Sequence, residues 1–324
     1  MCKRGSFLLF VLLLPVFAMG RDIYVAPGGT NNYPYTNWPD AATNIEWAVS
    51  VAADAETVFV SNGVYVLTNT IVITNGVCLR SWNDGLLADP VGTVVDGNAK
   101  TRCFRVAHSN ALLEGFTMTN GYYVNSDGGG GVSIQGGQVR NCRITHCVRG
   151  ASSGNRGGGG VFMVNGILSN CVVSNCLSMT NGGGGIYVYT SGTDNQIIRC
   201  EVVNNSATNN PDDEGGGIYC GGNNLKVMDC IIRGNTASKQ GGGIYIIGSS
   251  AYTQAIAGCA ITENLATNMA NQTSYGSGGG LHMAGNNRNC MVSNCVIANN
   301  TAFTKQSGGS VSGGGGVVAT SRII

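Results

Sequence analysis

Residues 200–220, CEVVNNSATNNPDDEGGGIYC, contain both halves of the pattern that decides this chain's architecture. The first half is Cys-x-φ-x-x-small, where φ is aliphatic. Cys142, Cys171, Cys200, Cys230, Cys259 and Cys295 follow one another at intervals of 29, 29, 30, 29 and 36 residues. Two residues after each comes Ile144, Val173, Val202, Ile232, Ile261 or Ile297, and five after it Cys147, Cys176, Asn205, Asn235, Asn264 or Asn300. The second half is a glycine triplet ending in an aliphatic. It recurs at Gly129–Val132, Gly158–Val161, Gly183–Ile186, Gly215–Ile218, Gly241–Ile244, Gly278–Leu281 and Gly314–Val317. Repetition at a fixed period means stacked supersecondary units, each burying its apolar face against the next.

The segments between these landmarks are β-branched, short and bounded by Gly, Asn and Ser, as in Ile186-Tyr187-Val188 and Cys230-Ile231-Ile232. A period near 29 with two or three such strands suits a coil of a parallel β-helix. About ten coils at roughly 4.8 Å each make a rod on the order of 50 Å long. Leucine-rich repeats lack support because their leucine spacing and per-repeat helix are missing, and propeller blades need longer units. Strand alternation points both aliphatics of Gly-Gly-Gly-φ-x-φ inward: Val132/Ile134, Val161/Met163, Ile186/Val188, Ile218/Cys220, Ile244/Ile246 and Leu281/Met283. The Asn positions are expected at a bend, where their amides bond the coil above or below.

Upstream, Lys3 and Arg4 precede an apolar run from Phe7 to Phe17 and an Ala18-Met19-Gly20 cleavage site. Residues 1–20 therefore read as a signal peptide, too short to span a bilayer, and the mature chain is expected to be secreted or held at the cell surface or outer membrane. Residues 21–56 read as a cap, with Thr43-x-x-Glu46 opening a helix whose Ile45, Ala48, Val49 and Ala52 share a face. Repeats fill 57–324 and stop at Ile324 just after a glycine triplet, so the last coil is expected to be incomplete. Glycine at 51 of 324 residues marks turns, since 43% hydrophobic residues suffices for a long packed interior. The formal charge is +1; removing Lys3 and Arg4 with the signal leaves 16 basic against 17 acidic residues, or −1, which argues against a nucleic-acid partner.

The GGG-φ and φ-x-x-N pairs resemble the repeated GGA-I and F-x-x-N motifs of the chlamydial polymorphic outer-membrane proteins. More broadly, the chain is similar to bacterial secreted right-handed β-helix proteins of the pectate-lyase-like class. Val202–Asn205, Ile232–Asn235, Ile261–Asn264 and Ile297–Asn300 carry the match. Ile144–Cys147 and Val173–Cys176 depart from it, aliphatics replace the family phenylalanine, and Gly replaces its Ala. The resemblance covers residues 128–324; it implies a right-handed coil and surface or adhesin use, and carries over no catalytic residue.

Four groups are candidates for chemistry. Twelve cysteines remain after signal removal, open to three readings: buried free thiols, disulfides, or a metal cluster built from Cys142, Cys147, Cys171 and Cys176. The x positions after the triplets read Ser133, Phe162, Tyr187, Tyr219, Tyr245, His282 and Val318, an outward aromatic stripe that either binds sugar rings or simply stabilises the sheet. Asp212-Asp213-Glu214 is either a solvated loop or a weak Ca²⁺ site; no other cofactor is implied. Glu201 and Arg233, one coil apart, are the best catalytic pair, while Asp84, Asp89 and Asp96 read as turn residues and His108, His146 and His282 as isolated. Together these favour an exported, non-enzymatic scaffold. Its loops at 148–157, 177–182, 206–214, 236–240, 265–277 and 301–313 would meet a polysaccharide or a surface protein. The competing reading is a polysaccharide lyase or glycoside hydrolase on the same fold.

Overall fold

One coil shows how each repeat is built. Ile186–Val188 is followed by Asn195–Ile198, Glu201–Val203 and Ser206–Ala207, and the chain then returns through Gly215–Gly217 to Ile218–Cys220 directly beneath Ile186–Val188. From Leu112–Glu114 onward each coil thus has four short strands, where the sequence suggested two or three, and the coils before it have three; the two-residue Ser206–Ala207 type is too short to show a period. The computed structural model describes residues 20–83, 86–87, 91–125, 127–151, 156–189, 191, 194–209, 212–221, 224–248, 253–267, 277–285, 289–303 and 314–319. The signal run, Asp84, Asp89 and parts of four of the corner loops lie outside these residues.

Corresponding strands stack into four sheets. The first runs from Asp22–Val25 through Thr57–Ser61 and Cys78–Asn83 to Cys290–Ser293, and the second from Gly63–Val66 to Val296–Ala298. The third runs from Tyr122–Tyr123 to Thr301–Ala302, and the fourth, which carries the glycine triplets, from Ile71–Ile73 to Val317–Ala319. Neighbours pair in parallel throughout, save a short antiparallel turn of Trp82–Asn83 onto Leu86–Leu87. All the inward pairs read from the sequence are fully buried. At about 1.5–3 kcal/mol per buried aliphatic, this column is the main favourable term of the fold.

The corners explain the second half of the repeat. The residue before each repeat cysteine and the residue four after it sit in the left-handed region. Asn141, Asn170, Arg199, Asp229 and Asn294 do so on one side, and His146, Asn175, Asn204, Glu263 and Asn299 on the other, with φ from 50° to 58°. Asn tolerates that conformation better than most residues, which accounts for Asn204, the first asparagine of the Asn204-Asn205 pair. Asn205 itself points inward. Its Nδ2 donates to Val173 O at 2.9 Å and to Asn235 Oδ1 at 3.0 Å, and its backbone N–H donates to the same Oδ1 at 3.0 Å. Asn235, Asn264 and Asn300 continue this ladder.

At the start of the stack Ile45–Val51 forms the helix, with Ile45, Ala48 and Val49 buried against the first coils. Its cap is Asn44, whose side chain accepts from Glu46 N at 2.7 Å, so the Thr43-x-x-Glu46 box is displaced by one residue. Asn44 holds the extended φ of −132° that a cap requires.

The described cysteines are all free, and only Cys78 and Cys295 are partly accessible. The inward thiols stack, with Cys142 N–H directed at Cys171 Sγ (3.4 Å) and Cys200 N–H at Cys230 Sγ (3.4 Å). Burial pushes the Cys171 thiol up and that of Cys290 to about 11. No metal-holding group of three or more His, Cys, Asp or Glu forms among the described residues, so Cys142, Cys147, Cys171 and Cys176 make no four-thiolate cluster.

Two outcomes test this construction. Asn235→Ala leaves Asn205 N–H and Val202 O unpaired and is expected to cost at least about 2 kcal/mol in urea unfolding, whereas the exposed Glu201→Ala stays within about 0.5 kcal/mol. Equal losses would show that the ladder contributes nothing special. In thiol counting on the native protein, Cys78 and Cys295 are expected to react first and the ten buried thiols only after denaturant is added; rapid native labelling of the Cys142–Cys259 column is the contrary result.

Candidate functional site

The fourth sheet presents its triplets' x positions away from the core, as strand alternation demands, yet most of them are closed off from solvent, with Tyr219 and Val318 half-buried. Phe162 is fully buried, and Tyr187, Tyr245 and His282 are each 4–5% exposed. The rings stack coil on coil, with Phe162–Tyr187 centroids 5.9 Å apart, Tyr187–Tyr219 4.7 Å, Tyr219–Tyr245 5.4 Å and Tyr245–His282 5.3 Å. Of the five stripe residues Phe162, Tyr187, Tyr219, Tyr245 and His282, four are buried in this structure and only Tyr219 is partly exposed. The described ends of the corner loops lie over most of the stripe, which the alternation rule has no means of showing.

The cover is built from the residue just before each triplet. Gly182, Glu214, Gln240 and Ser277 stack across coils: Gly183 N–H donates to Glu214 O (3.0 Å), Gly215 N–H to Gln240 O (2.9 Å) and Gly241 N–H to Ser277 O (3.1 Å). Gly182, at φ +83°, lies so close to the Tyr219 ring that an added Cβ would stand 2.7 Å from Cδ2. Side chains complete the seal. Ser277 Oγ and His282 Nδ1 are 2.9 Å apart, and Glu214 is hydrogen-bonded to the Tyr245 hydroxyl. Lys239 Nζ reaches Asp212 Oδ1 at 3.1 Å and Glu214 Oε1 at 3.6 Å.

Two separate groups of the sequence reading, the stripe and the acidic triplet, thus form one cluster. The acids do not converge on a cation. Asp212 and Glu214 share the Lys239 ammonium, and Asp213 is turned inward and fully buried beside Ser238. Nor do Glu201 and Arg233 pair: Glu201 stands in register with Ile231, while Arg233 reaches Glu263 at 3.5 Å on an exposed face. Sequence reading also passed over Arg102 and Arg149, both buried at the start of the ladder. Arg102 Nε donates to Gly129 O at 2.8 Å, its guanidinium lies 3.6 Å over the Tyr123 ring, and Asp127 pairs with it at 3.2 Å. Arg149 donates to the carbonyls of Arg156 and Tyr123. Further along, Arg156 stacks 3.8 Å over Tyr189.

Burial dominates the electrostatics. It raises Tyr187 to about 12 and lifts Tyr219 and Tyr245 as well. It raises Glu214 to about 6, against the opposing pull of Lys239. It depresses His282 to about 4, with Lys239 adding to the effect.

The coil and its four sheets have counterparts among known proteins. A family model described as "Right handed beta helix region" matches residues 62–256. The chain belongs to that family. The right-handed parallel β-helix is thereby shown, with the hand that the strand pattern alone leaves undetermined. Among solved structures, pectate lyase Pel9A is similar with a TM-score of 0.57 at 14% identity, covering 94% of this chain and 78% of that one. Pectin methylesterase PemA from Erwinia chrysanthemi matches at a TM-score of 0.39 and 10% identity, covering 84% of this chain and 78% of that one. The likeness to Pel9A is one of fold alone. No curated protein sequence matches the chain. Among the described residues no helix of the right-handed β-helix protein is long and apolar enough to cross a membrane.

The two shifted groups of the cluster act in opposite directions on stability. Folded Glu214 binds more protons than the unfolded chain between pH 4.5 and about 6, so stability falls by up to about 2 kcal/mol as pH rises across that window. Folded His282 binds fewer between about pH 4 and 6.5, so stability there rises with pH by about 3 kcal/mol. Glu214→Gln removes the first contribution and is expected to steepen the rise between pH 4 and 6.5. A denaturation profile superimposable on that of the unsubstituted protein would contradict the Glu214 assignment, and a profile flat between pH 4 and 6.5 in the variant would contradict that of His282.

Proposed function

We propose that this protein is an exported, non-enzymatic recognition scaffold whose contact surface is the loop edge above the fourth sheet. One observation carries the reading: the described ends of the corner loops are tied by polar and cation–π contacts onto a stacked aromatic column. Lys239 holds Asp212 and Glu214, Ser277 meets His282, and Arg156 caps Tyr189. Loop ends held in place in this way lose less conformational entropy on binding, which favours recognition. The ligand class is a polysaccharide or a surface protein. The resemblance to secreted β-helix proteins and the Lys3–Gly20 leader support export.

A carbohydrate-active enzyme is the second reading, and Glu214 is the observation that favours it. A carboxyl raised to about 6 is tuned for proton transfer. Its side chain is only 15% exposed and lies beside Lys239, so this reading requires the cover to open.

The loop edge is tested at Asn181 and Asn209, both exposed. Asn181→Arg with Asn209→Arg is expected to leave unfolding unchanged and to weaken binding to a panel of polysaccharides and cell-envelope fractions at least tenfold. The same panel is assayed for unsaturated or reducing ends, and none are expected. Turnover abolished by Glu214→Gln would replace the scaffold reading with the enzymatic one.

A further inference from the structure

The outer face of the first sheet carries a column that neither the loop edge nor the aromatic ladder uses. In strict register across five successive strands stand Tyr24, Phe59, Arg80, Glu114 and Arg140. Their inward neighbours Ile23, Val58, Leu79, Leu113 and Val139 are fully buried, which fixes the column on the outside. Trp82, two residues past Arg80 on the same face, lies 5.1 Å from Phe59. Trp38 arrives from the segment before the helix, 4.7 Å from Tyr24 and 6.4 Å from Trp82. All four rings are half-buried, so their free surfaces meet solvent. Four partly exposed rings thus meet solvent together here, whereas Tyr219 is the one partly exposed ring of the stripe on the fourth sheet.

Beside it lies a fixed positive charge. Glu114, 6% exposed, is gripped from both sides: Arg80 Nη2 reaches Oε2 at 3.1 Å, while Arg140 reaches Oε1 through Nε at 2.8 Å and Oε2 through Nη2 at 3.0 Å. Asn141 Nδ2 adds a bond to Oε1 at 2.9 Å. Two guanidiniums around one carboxylate leave an excess of one positive charge, with Arg140 37% and Arg80 20% exposed. The carboxylate orients both forks, so an incoming anion need not order them. At the opposite corner the exposed Asp22, two residues before Tyr24, repels an anion.

We propose that this face is a binding site for an anionic glycan, whose sugar faces stack on Trp82, Trp38 and Phe59 while its acidic substituents lie over Arg80 and Arg140. Stacking supplies affinity for the ring and the arginines select the charge. The polarity follows from the column, with the acidic end toward the later coils and away from Asp22. Carboxylated and sulfated sugars share the required chemistry. The site is separate from the loop edge and stands or falls independently of it.

The test uses the whole chain with three probes: alginate oligosaccharides for carboxylates, dextran sulfate for sulfates, and dextran as the neutral control. Binding is followed by tryptophan fluorescence and calorimetry. The protein is expected to bind one or both anionic probes, the preferred one naming the acidic group, and to bind dextran at least tenfold more weakly. Arg140→Gln is expected to weaken the anionic probe at least tenfold and to reduce the salt dependence, with unfolding monitored in parallel. Trp82→Phe tests stacking with the fold preserved and is expected to weaken binding severalfold. Lys226→Gln, which removes an exposed positive charge from a later strand of the same sheet, is expected to change nothing. No binding to either anionic probe, equal binding of dextran, or affinity unmoved by both Arg140→Gln and Trp82→Phe overturns the proposal. Equal weakening by Lys226→Gln instead assigns the effect to general charge, and likewise overturns it.

Discussion

The contact between the inward asparagine and the third glycine of the triplet sets the geometry of the coil. Gly217 lies so near Asn235 that a Cβ would stand 3.0 Å from Nδ2, and Gly185, Gly243 and Gly280 meet Asn205, Asn264 and Asn300 in the same way. Each amide bonds up and down the stack, so the corner has room for nothing larger than hydrogen on the facing strand. This is why the two repeats, read separately along the chain, advance in step: each asparagine needs its glycine. In the earlier coils the same corner holds a thiol. A Cβ on Gly131 or Gly160 would stand 3.1 Å from Cys147 or Cys176 Sγ, and the space is filled without the amide bonds. The ladder ends cleanly at that exchange, because Cys176 N–H still donates to Asn205 Oδ1 at 3.0 Å while its Sγ reaches Ile144 O only at 3.8 Å.

Much of this was legible in the sequence, since inward positions repeat and repetition survives without knowledge of the fold. The buried pairs, the coil-to-coil asparagine bonds and the buried cysteines all follow from alternation and period. Three features were not legible. The third sheet is two residues per coil, too short to carry a period. The left-handed corners are occupied by Asn, Arg, Asp, His and Glu, so no single residue type marks them. The helix cap moved from Thr43 to Asn44 because the box pattern does not specify which of two adjacent capping residues adopts the extended φ.

The aromatic stripe marks the larger gap between pattern and surface. Alternation correctly sends Tyr187, Tyr219 and Tyr245 away from the core, but whether an outward residue meets solvent depends on what folds over it. The residues that do so, Glu214, Gln240 and Ser277, belong to loops of different length. Their common feature is adjacency to the triplet, a signal visible only once the triplet is known to begin a strand. The fourth sheet therefore lies between two packed layers. One is the aliphatic interior and the other a stacked column in which each ring pair adds about 0.5–1.5 kcal/mol beyond its burial. Glu214 and His282 titrate at displaced values because they belong to that second interior.

The first sheet resolves the same constraint differently. Between its early strands and the outside stand half-buried rings and a bonded Arg–Glu–Arg triad, in a chain with only 11% charged residues. A solenoid with so few charges spends them selectively. Lys239, Asp212 and Glu214 hold a loop down, Arg102 and Asp127 close the start of the ladder, and Arg233 with Glu263 is a solvent-screened pair of little energetic consequence. Arg80, Glu114 and Arg140 hold no loop among the described residues. They lie across three sheet strands that backbone hydrogen bonds already join in register, so stability does not require a third charge there. A triad with one charge in excess, set beside half-buried aromatics on strands joined in register, is arranged as a recognition surface is: fixed in position, incompletely neutralised and open to the solvent side.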